Sequence, residues 1–246
     1  MASLKSLAKD TAIYGLSSIV GRFLNYLLVP LYTAKLSAAS GGYGVITNVY
    51  AYTALLMVIL TYGMETTFFR FANKENEKPQ KVYTTTLISV GFTSLLFVIL
   101  VLLFINPISA FMGYQDHKSY IWVMAITVAI DAFQCIPFAY LRYKKRPIKF
   151  AALKMLNIFM AIALNLVFFL ILPNIYDSNE GTGFIAQIYN PTVGAGYAFY
   201  INLFCSAVLT FFFWKELFCQ RYSFDKALLK RMFSYSWPIL VLGIAG

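Results

Sequence analysis

The chain has 246 residues, of which 60% are hydrophobic and only 12% are charged, a balance that excludes an ordinary soluble domain of this size. Its net charge of +10 alone could suggest a nucleic-acid partner, so the placement of the basic residues has to decide that question. The 3 cysteines have no paired spacing, so the sequence predicts no disulfide framework, no metal site and no cofactor.

Long apolar stretches recur along the chain, each close to the roughly 20 residues with which a helix crosses the hydrocarbon of a bilayer. The fold class predicted is an all-α integral membrane protein, a six-helix transmembrane bundle followed by the start of a seventh helix at Trp237. The six spans are predicted at Ala12–Leu36, Tyr43–Phe69, Val82–Ile105, Tyr120–Leu141, Phe150–Leu172 and Gly194–Trp214.

The chain divides into three predicted parts. Residues 1–222 are predicted to form an amino-terminal transmembrane lobe, and residues 237–246 the truncated start of the seventh span. Residues 223–236 are predicted to form an amphipathic linker on the cytoplasmic surface, because Phe224, Leu228 and Met232 recur at helical spacing among basic residues. The polar stretch 173–193 is expected to be a flexible loop on the other side of the membrane.

The basic residues are concentrated in alternate connections between the predicted spans. This alternation is the positive-inside pattern, so we expect a bacterial inner-membrane protein with a cytoplasmic amino terminus. The positive charge then contacts anionic membrane lipids, and no nucleic acid is needed to explain it. The basic groups are Lys5 and Lys9; Arg70, Lys74, Lys78 and Lys81; Arg142, Lys144, Lys145, Arg146 and Lys149; and Lys215, Arg221, Lys226, Lys230 and Arg231.

Polar residues inside the predicted spans are the candidate functional residues, because each one costs free energy in hydrocarbon. Arg22 and Asn25 lie on one face of the first span, and a rise of about 1.5 Å per residue puts Arg22 roughly 15 Å deep. Arg22 is either a buried structural residue or a cavity residue that meets an anionic substrate. Asp131, at a similar depth, is either its partner or a proton or cation site.

Three further residues complete the candidate set. Glu65 is expected to face the interior of the bundle, and Asn157 to line the same cavity or to hydrogen-bond a neighbouring helix. Arg70 is expected to anchor the second span at the inner surface or to contact a phosphate there. The predicted substrate cavity therefore comprises Arg22, Asn25, Glu65, Asp131 and Asn157.

Three segments resemble one known family. These are YGLSSIVGRFLNYLLVPLYTAKLSAASGGYGVITNVYAY (Tyr14–Tyr52), YGMETTFFRFA (Tyr62–Ala72) and LLKRMFSYSWPILVLGIAG (Leu228–Gly246). They are similar to polysaccharide biosynthesis flippases of the multidrug/oligosaccharidyl-lipid/polysaccharide exporter superfamily. The resemblance implies two helical lobes around a central cavity, and alternating access that moves a prenyl-diphosphate-linked oligosaccharide for cell-surface polysaccharides such as lipopolysaccharide.

The resemblance also has implications for residues and partners. It implies that cationic residues meet the diphosphate, a role that Arg22 matches best in this sequence. It implies a carboxy-terminal lobe as a partner, and a glycan polymerase and glycosyltransferases as further ones. Because only the start of a seventh span follows the six, we expect the chain to be a fragment or the product of a truncated gene.

Other functions remain open at this point. A cation-coupled exporter of drugs or metabolites is the nearest, although such exporters often carry an acidic residue in the first span, where this chain has Arg22. A scaffold without transport in a glycan assembly complex is a second. An enzyme is not expected, because the sequence shows no nucleotide, metal or nucleophile motif.

Overall fold

The computed structural model describes residues 12, 15, 19–20, 26–36, 42–74, 77–178, 185–218 and 220–245. Within these ranges the chain is almost entirely helical and contains no β-strand. The helices are α1 (Leu28–Lys35), α2 (Gly42–Thr61), α3 (Met64–Ala72), α4 (Pro79–Leu103), α5 (Ile105–Met112), α6 (Lys118–Tyr143), α7 (Pro147–Leu166), α8 (Leu172–Ser178), α9 (Ile185–Ile188), α10 (Gly196–Phe212), α11 (Trp214–Phe218) and α12 (Lys226–Ala245).

Four described helical stretches are long and apolar enough to cross a membrane. Four of the expected spans correspond to them, from the second to the fifth. The helix matching the sixth, α10, is apolar but has only 17 residues. Most of the expected first span lies outside the described residues, so the count of six remains a prediction. The four stretches are Gly42–Ala72, Pro79–Leu103, Gln115–Tyr143 and Pro147–Ser178.

Helix α6 is the centre of the bundle. In its most apolar window 67% of the residues are buried, whereas the other three long stretches have 11% to 33%. It packs against α2, α4 and α10, and its small residues Ala125, Ala129 and Ala132 allow those helices to approach closely. The remaining long helices expose wide apolar faces, as expected where lipid rather than water surrounds the protein.

The second span is broken at Tyr62 and Gly63. Gly63 has φ +68°, a left-handed conformation that glycine adopts at little cost, and α3 starts at the next residue. Helix α12 packs directly against this break, since a Cβ on Gly63 would lie 2.8 Å from the Ile239 side chain. A Cβ on Gly243 would likewise lie 2.9 Å from Val58. Because Gly63 and Gly243 have no side chain, α12 can approach α2 and α3 this closely.

The prediction of a flexible loop at residues 173–193 was wrong for residues 173–178, which are helical. The helix of the fifth span continues from α7 through a π-helical turn at Val167–Ile171 into α8, and so reaches Ser178. Pro173 has no N–H for the carbonyl of Phe169, so a regular α-helix could not pass this point without a lost hydrogen bond. The π-helical turn lies directly before this proline.

The basic connections meet at one end of the bundle, here called the basic end. Lys149 Nζ lies 2.8 and 2.7 Å from the two carboxylate oxygens of Glu216, which is buried. Lys81 and Asp225 form an ion pair of 2.5 Å, and Arg231 and Glu77 one of 2.6 Å. Three separate connections are therefore held together at this end.

Helix α12 runs without interruption across the expected boundary between linker and seventh span. Asp225 caps it, since its Oδ1 accepts a 2.9 Å hydrogen bond from the Leu228 N–H. Leu228 and Met232 are buried as expected, whereas Phe224 is exposed. The division into lobe, linker and seventh span remains a prediction.

Candidate substrate cavity

A cavity of about 350 Å³ lies inside the bundle between α2, α6, α7 and α10. We call it the central cavity. In a bundle with so apolar a surface, its lining is unusually rich in polar side chains, and such groups are costly in a membrane unless a function keeps them. The polar residues that line it are Tyr50, Thr53, Thr127, Asp131, Asn157, Asn202 and Ser206.

Asp131 is the acidic residue in this lining. The Ser206 hydroxyl on α10 donates a 2.6 Å hydrogen bond to its Oδ1. One turn further along α6, a second residue also bonds to α10. Gln134 Nε2 donates hydrogen bonds to the Ser206 carbonyl at 2.6 Å and to Thr210 Oγ1 at 2.8 Å. The carboxylate is thus held in place from α10 while it faces the cavity.

Asn157, on α7, also lines the central cavity. Its Oδ1 is buried and has no hydrogen-bond partner among the described residues. A buried polar atom without a partner costs free energy, so an unpaired amide at a cavity wall indicates a place where a ligand or water is expected to bind. The structure thus brings two predicted residues, Asp131 and Asn157, to one cavity.

Charged side chains continue from the central cavity to the basic end. Lys154 lies close enough for its charge to act on Asp131, and its ammonium sits 4.3 Å from the centre of the Phe138 ring. Arg142, in the last turn of α6, pairs with Glu65 of α3. Along this route the two cations Lys154 and Arg142 therefore lie between the carboxylates of Asp131 and Glu65.

Two other predicted residues are described and do not line the central cavity. Glu65 is not among the residues that line the cavity, because its partner Arg142 holds it towards the basic end. Arg70 is exposed and lies over the ring of Tyr235, with 4.0 Å between the guanidinium carbon and the ring centre. Arg22 and Asn25 lie outside the described residues, so their place in the cavity remains a prediction.

Sequence reasoning missed Tyr50, Asn202 and Ser206. Asn202 Nδ2 donates a hydrogen bond to the Tyr50 hydroxyl, which joins α10 to α2 at the edge of the central cavity. Asn202 and Ser206 are four residues apart, so they share a helix face, and that spacing could have revealed a polar stripe on the sixth span. A tyrosine such as Tyr50 gives no comparable signal, because tyrosine is common in membrane helices.

Comparison with known proteins identifies the family. No curated protein and no solved structure matches the chain significantly. The family model described as "Polysaccharide biosynthesis protein" matches residues 7–246, nearly the whole chain. The chain, with its apolar helices, is a multi-pass membrane protein that belongs to the polysaccharide biosynthesis protein family.

Proposed function

We propose that this protein is a flippase that moves a prenyl-diphosphate-linked oligosaccharide across the bacterial inner membrane for cell-surface polysaccharide synthesis. The observation that carries the proposal is the central cavity inside an apolar bundle, which is lined by Asp131 and by Asn157, whose buried Oδ1 has no hydrogen-bond partner among the described residues. The family supports a role in polysaccharide biosynthesis. The proposed function is transport and involves no covalent chemistry.

The orientation follows from the charge distribution. The basic end holds Lys74, Lys81, Lys149 and Lys215, and basic connections favour the cytoplasmic side of a membrane. We therefore propose that the amino terminus lies in the cytoplasm and the loop before α10 outside. A lipid-linked anion arriving in the inner leaflet would first meet this positive surface.

The proposed mechanism divides the substrate between two environments. The diphosphate and sugars enter the polar interior, where Arg22 meets the diphosphate, while the prenyl tail remains in the hydrocarbon. Rocking of this lobe against a second lobe then exposes the interior to one side of the membrane at a time. The second lobe, a glycan polymerase and glycosyltransferases are the partners that this proposal requires.

Complementation of a flippase-deficient bacterium tests the proposal. The complete protein should restore surface polysaccharide and clear the lipid-linked glycan that accumulates in the inner leaflet. Arg22→Ala should abolish both effects at unchanged membrane abundance, and Arg22→Lys should retain part of them because it keeps the charge. Normal flipping by Arg22→Ala would contradict the role given to Arg22, and failure of the unaltered protein would favour a scaffold.

A second candidate is a cation-coupled exporter of drugs or metabolites, which the acidic Asp131 in the cavity favours. The two functions differ in what they remove from the cell. An exporter should lower the accumulation of cationic dyes in a strain without its own exporters, and Asp131→Asn should abolish this effect. Dye efflux without restored polysaccharide would replace the flippase proposal with this one.

A further inference from the structure

A second cavity, of about 400 Å³, adjoins the central cavity and shares Tyr50 and Asn202 with it. We call it the tyrosine cavity because Tyr26, Tyr32, Tyr43 and Tyr50 line it, while aliphatic side chains and Asn202 supply the rest of its described lining. The four tyrosines come from α2 and from the helical segment before it. Four tyrosine side chains thus line a single cavity.

The rings of Tyr32, Tyr43 and Tyr50 are held in place by their neighbours. Tyr32 donates a 2.7 Å hydrogen bond to Asn165 Oδ1, and its ring stacks on that of Tyr43 with 6.0 Å between ring centres. Tyr50 accepts the hydrogen bond from Asn202 and sets its ring edge against Phe199. Groups that are already in place lose little freedom when a ligand binds.

The hydroxyls are not all used in holding the rings. Among the described residues, none forms a hydrogen bond with the hydroxyl of Tyr43 or Tyr26, and Tyr26 has 73% of its surface exposed. A tyrosine with a fixed ring and a free hydroxyl presents an apolar face beside a polar group. Tyr43 presents such a surface to the tyrosine cavity.

No charged side chain contributes to the described lining of the tyrosine cavity, which favours an uncharged ligand. A sugar ring has an apolar C–H face that stacks on an aromatic ring, and a rim of hydroxyls that bond to amides and phenols. The lining therefore matches an uncharged sugar better than it matches a diphosphate or a lipid chain.

We propose that the tyrosine cavity binds an uncharged sugar residue of the transported glycan, with Tyr43 as the stacking ring, the buried Tyr32 as the ring that supports Tyr43, and Asn202 as a hydrogen-bonding group. This deepens the proposed function and rests on it for the identity of the glycan. The hydrogen bond between Tyr50 and Asn202 would then lie between the bound sugar and the central cavity, because both residues line both cavities.

A direct binding measurement tests the inference. The probe is the oligosaccharide that mild acid releases from the lipid-linked pool of the strain carrying the gene, titrated by saturation-transfer NMR onto the complete protein in nanodiscs. Tyr43→Leu should weaken binding about five- to tenfold, since it removes a stacking ring, and Tyr43→Phe should weaken it less. Tyr52→Leu is the matched control, because Tyr52 lies on the same helix but faces a separate apolar groove.

The outcomes separate this inference from the proposed function. Absence of binding by the unaltered protein, or equal binding by folded Tyr43→Leu and Tyr52→Leu, would overturn the inference, and restored surface polysaccharide would then still support the flippase. Binding that Tyr43→Leu weakens supports the inference even if the complemented strain makes no polysaccharide. In that case the sugar site stands and the transport proposal fails. Tyr43→Phe guards against misfolding, because it keeps the ring volume.

Discussion

The Ser206 hydroxyl donates a 2.6 Å hydrogen bond to Asp131 Oδ1 inside the helix bundle. This contact places a carboxylate from α6 and a hydroxyl from α10 at the wall of one cavity. A hydrogen bond between neutral side chains would join the helices equally well, so helix association does not require the charge. We infer that the charge of Asp131 serves the cavity rather than the packing.

Because the buried Oδ1 of Asn157 has no hydrogen-bond partner among the described residues, we expect its replacement to raise stability and to lower activity. Asn157→Leu should raise the thermal unfolding temperature in detergent, because a buried unpaired polar atom costs about 1–3 kcal/mol. The same variant should lose flipping activity if the amide binds substrate or water. The control is Asn165→Leu, which should lower the unfolding temperature because Asn165 is bonded to Tyr32 and to the Ala161 carbonyl. Equal destabilisation by both variants would contradict this interpretation.

The ion pair of Lys149 with Glu216 should be critical for folding. Glu216 is buried, so Lys149→Met leaves a carboxylate without its closest cation and should destabilise the protein by about 3 kcal/mol. Adding Glu216→Leu should recover much of that loss, because the unpaired charge is then removed. The exposed Lys145→Met serves as the control and should change the unfolding temperature little. A double variant as unstable as Lys149→Met would count against the argument.

Close packing of α12 should depend on Gly243. Gly243→Val should push α12 away from α2, since even a Cβ there would lie 2.9 Å from Val58 Cγ1. Crosslinking between cysteines introduced at Val58 and Ile244 should decrease, and the unfolding temperature should fall. Gly44→Val is the control, because a Cβ at Gly44 meets nothing within 4 Å. Unchanged crosslinking in Gly243→Val would show that this contact does not position α12.

The cap of α12 predicts a pH dependence. The hydrogen bond from Lys81 lowers the pKa of Asp225 from its ordinary 3.8 to about 2. Because the pKa is lower in the folded state, the stabilisation is present above pH 3.8 and is lost as the pH falls through about 2. The difference in unfolding temperature between the unaltered protein and Asp225→Asn should therefore shrink between these pH values. A difference independent of pH would contradict the lowered pKa.

Much of the helical arrangement could be predicted from the sequence, because the length of an apolar run fixes a span closely. The third span was expected at Val82–Ile105 and is found at Pro79–Leu103. Asp131 and Asn157 could also be identified, since a polar residue within a span is conspicuous. The break at Gly63 could not, because glycine is common in unbroken membrane helices.

Contacts between distant segments were the part that the sequence could not predict. The pairing of Glu65 with Arg142 depends on the register of α3 against α6, which no local pattern encodes. The tyrosine cavity has the same origin, since Tyr43 and Tyr50 resemble interfacial or lipid-facing tyrosines until the helices are assembled. The amphipathic pattern of residues 223–236 indicated a helix but not its continuation through Pro238.

Reconstitution tests the central claim, that the polar interior carries a lipid-linked glycan across the membrane, most directly. The complete protein is placed in liposomes whose polyprenyl-diphosphate oligosaccharide carries a fluorophore, and a membrane-impermeant quencher reports the lipid that reaches the outer leaflet. We predict rapid exchange by the unaltered protein and at least tenfold slower exchange by Asp131→Asn, which can still accept the Ser206 hydrogen bond. Exchange by Asp131→Asn at the unaltered rate would contradict the role of the cavity, and no exchange by either would contradict the flippase proposal.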